Sequence, residues 1–178
     1  MSELVERESG RLSSEITSEE RTWAALAHAS TILTLLVSFG TAGVGGLLFV
    51  FVPFVIYLSY RDKSEYVAYH AAQAFALQVV GTLGFFLLVL ASVLVVVVAW
   101  VVTAVLIVIL IGLLLIPVAL LITIVLVLLV VAFPFALGGF SIVATIETSA
   151  GKDYRYPYLG QWVAEWLERN TAGAKPAV

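Results

Sequence analysis

The chain has 178 residues, 62% of them hydrophobic and only 12% charged, whereas soluble domains carry about 25% charged residues. A water-soluble globular class is therefore excluded in favour of a multi-pass membrane protein. The net charge of -3 reflects an acidic start, with Glu3, Glu6, Glu8, Glu15, Glu19 and Glu20 against Arg7, Arg11 and Arg21, and points to no nucleic-acid partner. No cysteine is present, so disulfide frameworks, thiolate metal sites and a cysteine nucleophile are excluded.

Residues 1–16 alternate acidic, polar and isolated apolar side chains and read as a flexible acidic arm. They hold neither a basic n-region nor an apolar h-region, so a cleaved signal peptide is not expected. Thr17 with Glu20 three residues on makes a capping-box pattern ahead of Trp23-Ala-Ala-Leu-Ala, and a helix is predicted to start there. From Thr22 to Tyr60 there is no Asp, Glu, Lys or Arg. The glycine-rich Gly40-Thr-Ala-Gly-Val-Gly-Gly46 falls near the middle of this stretch, where a helical hairpin would turn. Two crossings follow, Trp23 to about Phe39 and about Leu47 to Tyr60.

The charged island Arg61-Asp62-Lys63-Ser64-Glu65 comes next, flanked by Tyr57, Tyr60, Tyr66 and Tyr69. Tyrosines so placed sit at headgroup depth with ring in the apolar zone and hydroxyl in water, which makes the island an interfacial loop.

From Ala71 to Ile146 there is no charged residue and no histidine. As a helix, some 76 residues would extend roughly 114 Å, long for two crossings of a core about 30 Å thick and comfortable for three. Charge placement argues for two. Arg21, Arg61, Lys63, Lys152 and Arg155 share one face only if an even number of crossings follows the island, as the positive-inside rule prefers. Four crossings in all are expected, with five as the alternative. Pro117, Pro134 and the Gly138-Gly139 pair offer places to bend, and the end of the third helix is not marked. The transmembrane domain thus covers 17–157. Beyond it Leu159, Trp162, Val163, Trp166 and Leu167 recur at helical spacing, with Pro157 suited to a first helical position. Residues 158–170 read as an amphipathic helix, either lying on the membrane or packed on the bundle, and 171–178 as a disordered tail. The expected fold class is an all-α polytopic transmembrane bundle with this short C-terminal helix.

Three segments carry a family resemblance: Glu20-Arg-Thr-Trp-Ala-Ala-Leu-Ala-His28; Arg61-Asp-Lys-Ser64 leading to Tyr69-His-Ala-Ala-Gln-Ala-Phe-Ala-Leu-Gln78; and Gly151-Lys-Asp-Tyr-Arg-Tyr-Pro157. Over about Glu19 to Pro157 the chain resembles a family of small, uncharacterised bacterial and archaeal membrane proteins. That family is described as similar to the twenty-kilodalton channel-forming subunit of the chloroplast inner-envelope import translocon. The resemblance implies four membrane helices with both termini cytoplasmic, in the inner membrane, and the family has no established catalytic or binding residues to carry over. The chain departs from the family in its longer apolar run after Gln78, and at Ala72 and Gln73, where members often carry charge.

His28, His70, Gln73 and Gln78 are polar groups in apolar helices and hence functional candidates. Hydrogen bonds between the first and third helices are the plainer account, each averaging about 0.6 kcal/mol. Haem or metal held by the histidines lacks further ligands at the right spacing, and a pH-sensitive switch is the remaining option. Arg61, Asp62 and Lys63 with Tyr154, Arg155, Tyr156 and Pro157 could form a docking surface, or a solvated turn whose cations meet lipid phosphates. No enzyme, cofactor or small-molecule ligand is expected. Nothing forms a Ser, His and acid arrangement, and Gly43-Val-Gly-Gly46 lacks the strand and the Lys-Ser/Thr of a phosphate loop. The expected role is a non-enzymatic structural or translocation-associated membrane component whose partners are the lipid bilayer, itself or other membrane proteins. The alternative is an oligomeric channel or transporter subunit.

Overall fold

The computed structural model describes residues 16–41 and 43–172. Most of the acidic arm and most of the C-terminal tail expected from the sequence lie outside the described residues. Among these the chain is helical, without strands: α1 is Ser18–Gly40, α2 Gly46–Phe49, α3 Val52–Tyr60, α4 Glu65–Ile107, α5 Ile111–Ser149 and α6 Leu159–Ala172. Three of them, α1, α4 and α5, are long and apolar enough to cross a membrane, while Gly46–Tyr60 is a shorter apolar stretch. The expected crossing over Leu47 to Tyr60 is broken rather than continuous. Pro53 sits at the start of α3 and has no N–H to offer the carbonyl a turn earlier. The long run makes two helices of 43 and 39 residues, not three, although a crossing needs only about 20.

The chain divides into two compact units, one made of Met1–Val79 with Leu137–Val178 and the other of Val80–Ala136. In the first, Thr17 caps α1: its side chain accepts from the Glu20 N–H while Glu20 accepts from the Thr17 backbone N–H at 2.8 Å, which satisfies two orphan donors at once. The α1–α2 turn depends on Gly43, at φ 92°. It also depends on Gly46, where a Cβ would run into the Ser38 side chain. The core is built of small residues, with Ala27, Ala71 and Ala74 packed beside Ile56 and Val67, so the helix backbones approach closely. The sequence left two placements open for α6, and the helix uses both of its faces. Val163 is buried at 2% exposure and Gly160 is buried, while Trp162 is 56% exposed. Pro157 is not at its first turn; Tyr158, at φ 63°, separates the proline from α6.

The second unit is a helical hairpin. Its arms are joined by the Phe85 and Phe133 rings, 6.2 Å apart, and by Trp100 Nε1 donating to Thr123 Oγ1 at 3.0 Å. The turn runs through Val108, Ile109 and Leu110, with Leu110 at φ 65°.

Candidate functional site

Four segments meet in the first unit around His28 and His70, both fully buried. One turn into α4, His70 Nδ1 lies 3.3 Å from His28 Nε2 of α1, and His28 Nδ1 lies 2.9 Å from the Tyr156 hydroxyl in the loop after α5. Ser141 of α5 completes the arrangement by donating to the His28 carbonyl at 2.5 Å. Tyr156, His28 and His70 thus form one continuous run of buried polar contacts, and His70 Nε2 stands at its end. It is buried without a hydrogen-bond partner, 4.0 Å from Asp153 Oδ1. Among the described residues no three histidine or acidic side chains gather as a metal site.

Gln73 lies one turn further along α4 and is fully buried. Its Nε2 donates to the Tyr154 carbonyl at 3.2 Å and its Oε1 accepts from the Tyr156 N–H at 3.1 Å. One side-chain amide thus satisfies two backbone groups of a loop that has no ladder of its own. Tyr66 and Tyr69 fasten this loop and its two ends from the side: Tyr66 donates to the Lys152 carbonyl in the loop and the Thr148 carbonyl at the end of α5, both at 3.2 Å, and Tyr69 to the Gly160 carbonyl at the start of α6 at 3.3 Å. Deeper along α4, Gln78 accepts from Thr34 Oγ1 at 2.8 Å and donates to Ser30 Oγ at 2.9 Å.

The remaining residues singled out in the sequence stand apart from this cluster. Arg61 pairs with its exposed neighbour Asp62 at 3.2 Å, and Lys63 lies over the Tyr60 ring. Arg155 pairs with Asp153 at 2.9 Å and lies 5.7 Å from the Tyr69 ring centre. The hydrogen bond and charge of Asp153 push the Arg155 guanidinium above its usual range. The 154–157 segment therefore closes over α4 and α6. Ser64, which reads as part of a solvated turn, is buried; it donates to Glu20 Oε1 at 2.7 Å and accepts from the Val67 N–H. Ser141, Thr34 and Ser64 are the functional neighbours that sequence reasoning missed. Thr34 carried a signal, lying four residues after Ser30 on one helix face.

Tyr156 supplies a measurable readout. Burial, the largest effect, pushes its phenol pKa above the ordinary 10.0, and Ser141 opposes this. A raised pKa in the fold means that the stabilisation is complete below pH 10.0 and is lost as pH rises from there through the folded value. Tyr156→Phe should therefore flatten the alkaline loss of stability, read from unfolding midpoints in detergent between neutral pH and about pH 11. It should also cost about 1–2 kcal/mol at neutral pH, because buried His28 Nδ1 loses its hydrogen-bond partner. An unchanged alkaline slope would contradict this placement of Tyr156.

A family model described as the magnetosome magnetite crystal formation protein family matches residues 19–163. No curated protein and no solved structure matches the chain. The expectation of a small membrane-protein family is met, but the matched family carries no link to the import-translocon subunit.

Proposed function

Because the chain belongs to the magnetosome magnetite crystal formation protein family, we propose that it is a non-enzymatic integral component of the membrane in which those crystals form. It acts through helix contacts with itself or with other membrane proteins, and it needs no cofactor. The observation that carries this reading is how the polar groups of the first unit are used. Gln73 is spent on loop backbone, Gln78 on Thr34 and Ser30, His28 on Tyr156, and Ser141 on the His28 carbonyl, whereas a catalytic site directs such groups into a cavity. A network satisfied in this way fixes helix register, a structural task.

The orientation that fits the cations is four crossings with both termini on the cytoplasmic face, Gly46–Tyr60 being the short crossing. Single cysteines placed at the exposed Asp62 and Ser149 of the cysteine-free chain should then share a labelling pattern in intact cells, and different patterns would overturn it. The role itself is tested in a magnetite-forming bacterium by deleting the gene and complementing with wild type or with Gln73→Leu. Deletion should change crystal size or number in electron micrographs, wild type should restore both, and Gln73→Leu should restore them less well. Unaltered crystals in the deletion strain would sink the proposal. Reproducible currents from purified protein in planar bilayers would replace it with the channel reading.

A further inference from the structure

The outer side of α1 and the α2–α3 stretch enclose an open groove of about 620 Å³ lined by apolar side chains, among them Trp23, Leu26, Leu33, Leu48, Phe51 and Val55. Ser30 also borders it, but the serine hydroxyl is used inward, donating to the Ala27 carbonyl at 2.6 Å and accepting from Gln78. The groove therefore offers an occupant dispersion contacts and almost no hydrogen bonds. Ten residues of α1 separate Trp23 from Leu33, about 15 Å at 1.5 Å per residue. That is half of a hydrocarbon core about 30 Å thick, the depth of one leaflet.

The two ends differ. At the inner end the helices close on each other: a Cβ on Gly45 would lie 2.9 Å from Val37 Cγ1, and one on Gly46 would collide with the Ser38 side chain. That closure lies about 21 Å along α1 from Trp23 and would stop a partner helix about 10 Å across that continued along α1; an acyl chain that ends short of it would not be stopped. At the outer end the Trp23 ring lies 5.5 Å from that of Tyr60. Tyr60 donates to Glu19 Oε1 at 3.1 Å, and the Lys63 ammonium lies 5.6 Å from the Tyr60 ring centre. One aromatic ring thus has a carboxylate on its hydroxyl and an ammonium over its face, both exposed. A zwitterion with a phosphate for Lys63 and a primary ammonium for Glu19 and the two rings matches this pattern.

We propose that the groove holds one acyl chain of an amine-bearing zwitterionic phospholipid, phosphatidylethanolamine in chemical class, with its headgroup at Glu19, Tyr60 and Lys63. The lipid belongs to the leaflet that adjoins the charged island.

Native mass spectrometry of the full chain released from nanodiscs of equimolar phosphatidylethanolamine, phosphatidylcholine and phosphatidylglycerol tests this. Wild type should retain one phosphatidylethanolamine per chain, at least tenfold over either competitor. Ala29→Trp, which fills the groove floor, should lower that retention at least tenfold, and Glu19→Gln with Lys63→Gln should remove the headgroup preference. Equal retention of all three lipids by wild type, or undiminished retention by Ala29→Trp, would overturn the proposal. A second measurement needs no groove variant. In a chain with Trp100→Phe, Trp162→Phe and Trp166→Phe, so that Trp23 is the sole tryptophan, phosphatidylethanolamine with brominated acyl chains should quench fluorescence at a mole fraction at least threefold lower than brominated phosphatidylcholine. Identical quenching curves would count against the site.

Discussion

Replacing Gln73 with leucine is expected to destabilise the protein by about 3 kcal/mol, the largest loss from any single polar side chain in the buried cluster. Leucine fills nearly the same space, so little of the loss comes from a cavity. It comes from the loop: the Tyr154 carbonyl and the Tyr156 N–H, which Gln73 now satisfies, would stay buried without partners, at about 1–3 kcal/mol each. Gln78→Leu is the informative contrast. Its partners keep other bonds, since Thr34 can donate to the Ser30 carbonyl at 2.9 Å and Ser30 to the Ala27 carbonyl, and it should cost about 1 kcal/mol. Detergent unfolding of the two variants measures the difference, and trypsin adds a local readout, because Lys152 and Arg155 are already exposed and a loosened loop lets the backbone beside them enter the protease. Equal destabilisation by both changes would mean that capture of the loop backbone is not what Gln73 does.

Why Gln73 could be flagged from the sequence but not explained there is a matter of range. A glutamine in an apolar helix announces itself, as do His28 and His70, because an amide or imidazole in such surroundings must find a partner. The partners lie far along the chain: Tyr156 is 128 residues from His28, and Ser141 is 113 from it. No periodicity carries that information. Local signals behaved differently. The capping box at Thr17 and Glu20 marks the start of α1 to the residue, since both partners sit within one turn. The glycines from Gly40 to Gly46 mark the first hairpin turn for the same reason.

The second turn had no such mark. Val108, Ile109 and Leu110 are β-branched or bulky, without the Gly, Pro, Asn or Asp that punctuates a reversal. Pro117 and Pro134, the expected bending points, lie inside a continuous α5. Proline is tolerated in apolar helices of membrane proteins, where neighbouring groups satisfy the carbonyl it leaves free. Gly112 follows the reversal by two residues. Its meaning is steric and appears only once both arms are in place.

Gly112→Val is accordingly expected to destabilise the hairpin by about 3 kcal/mol, at the upper end of what overpacking costs. A Cβ at this position would collide with the Thr103 carbonyl oxygen and the Ile107 nitrogen. Both are backbone atoms, so no side chain can swing away to make room and the last turn of α4 must move. Leu110→Gly should act in the opposite direction. Leucine at φ 65° bears a left-handed penalty of about 1–2 kcal/mol, which glycine removes while adding about 0.5–1 kcal/mol of entropic cost on ordering. A net gain of about 0.5 kcal/mol remains by this balance. The opposite signs are the test, read as shifts in unfolding midpoint of the two variants in the same detergent. If Leu110→Gly destabilised the chain as much as Gly112→Val, the reversal would not lie at residues 108–110, and the long apolar run would have to be divided elsewhere.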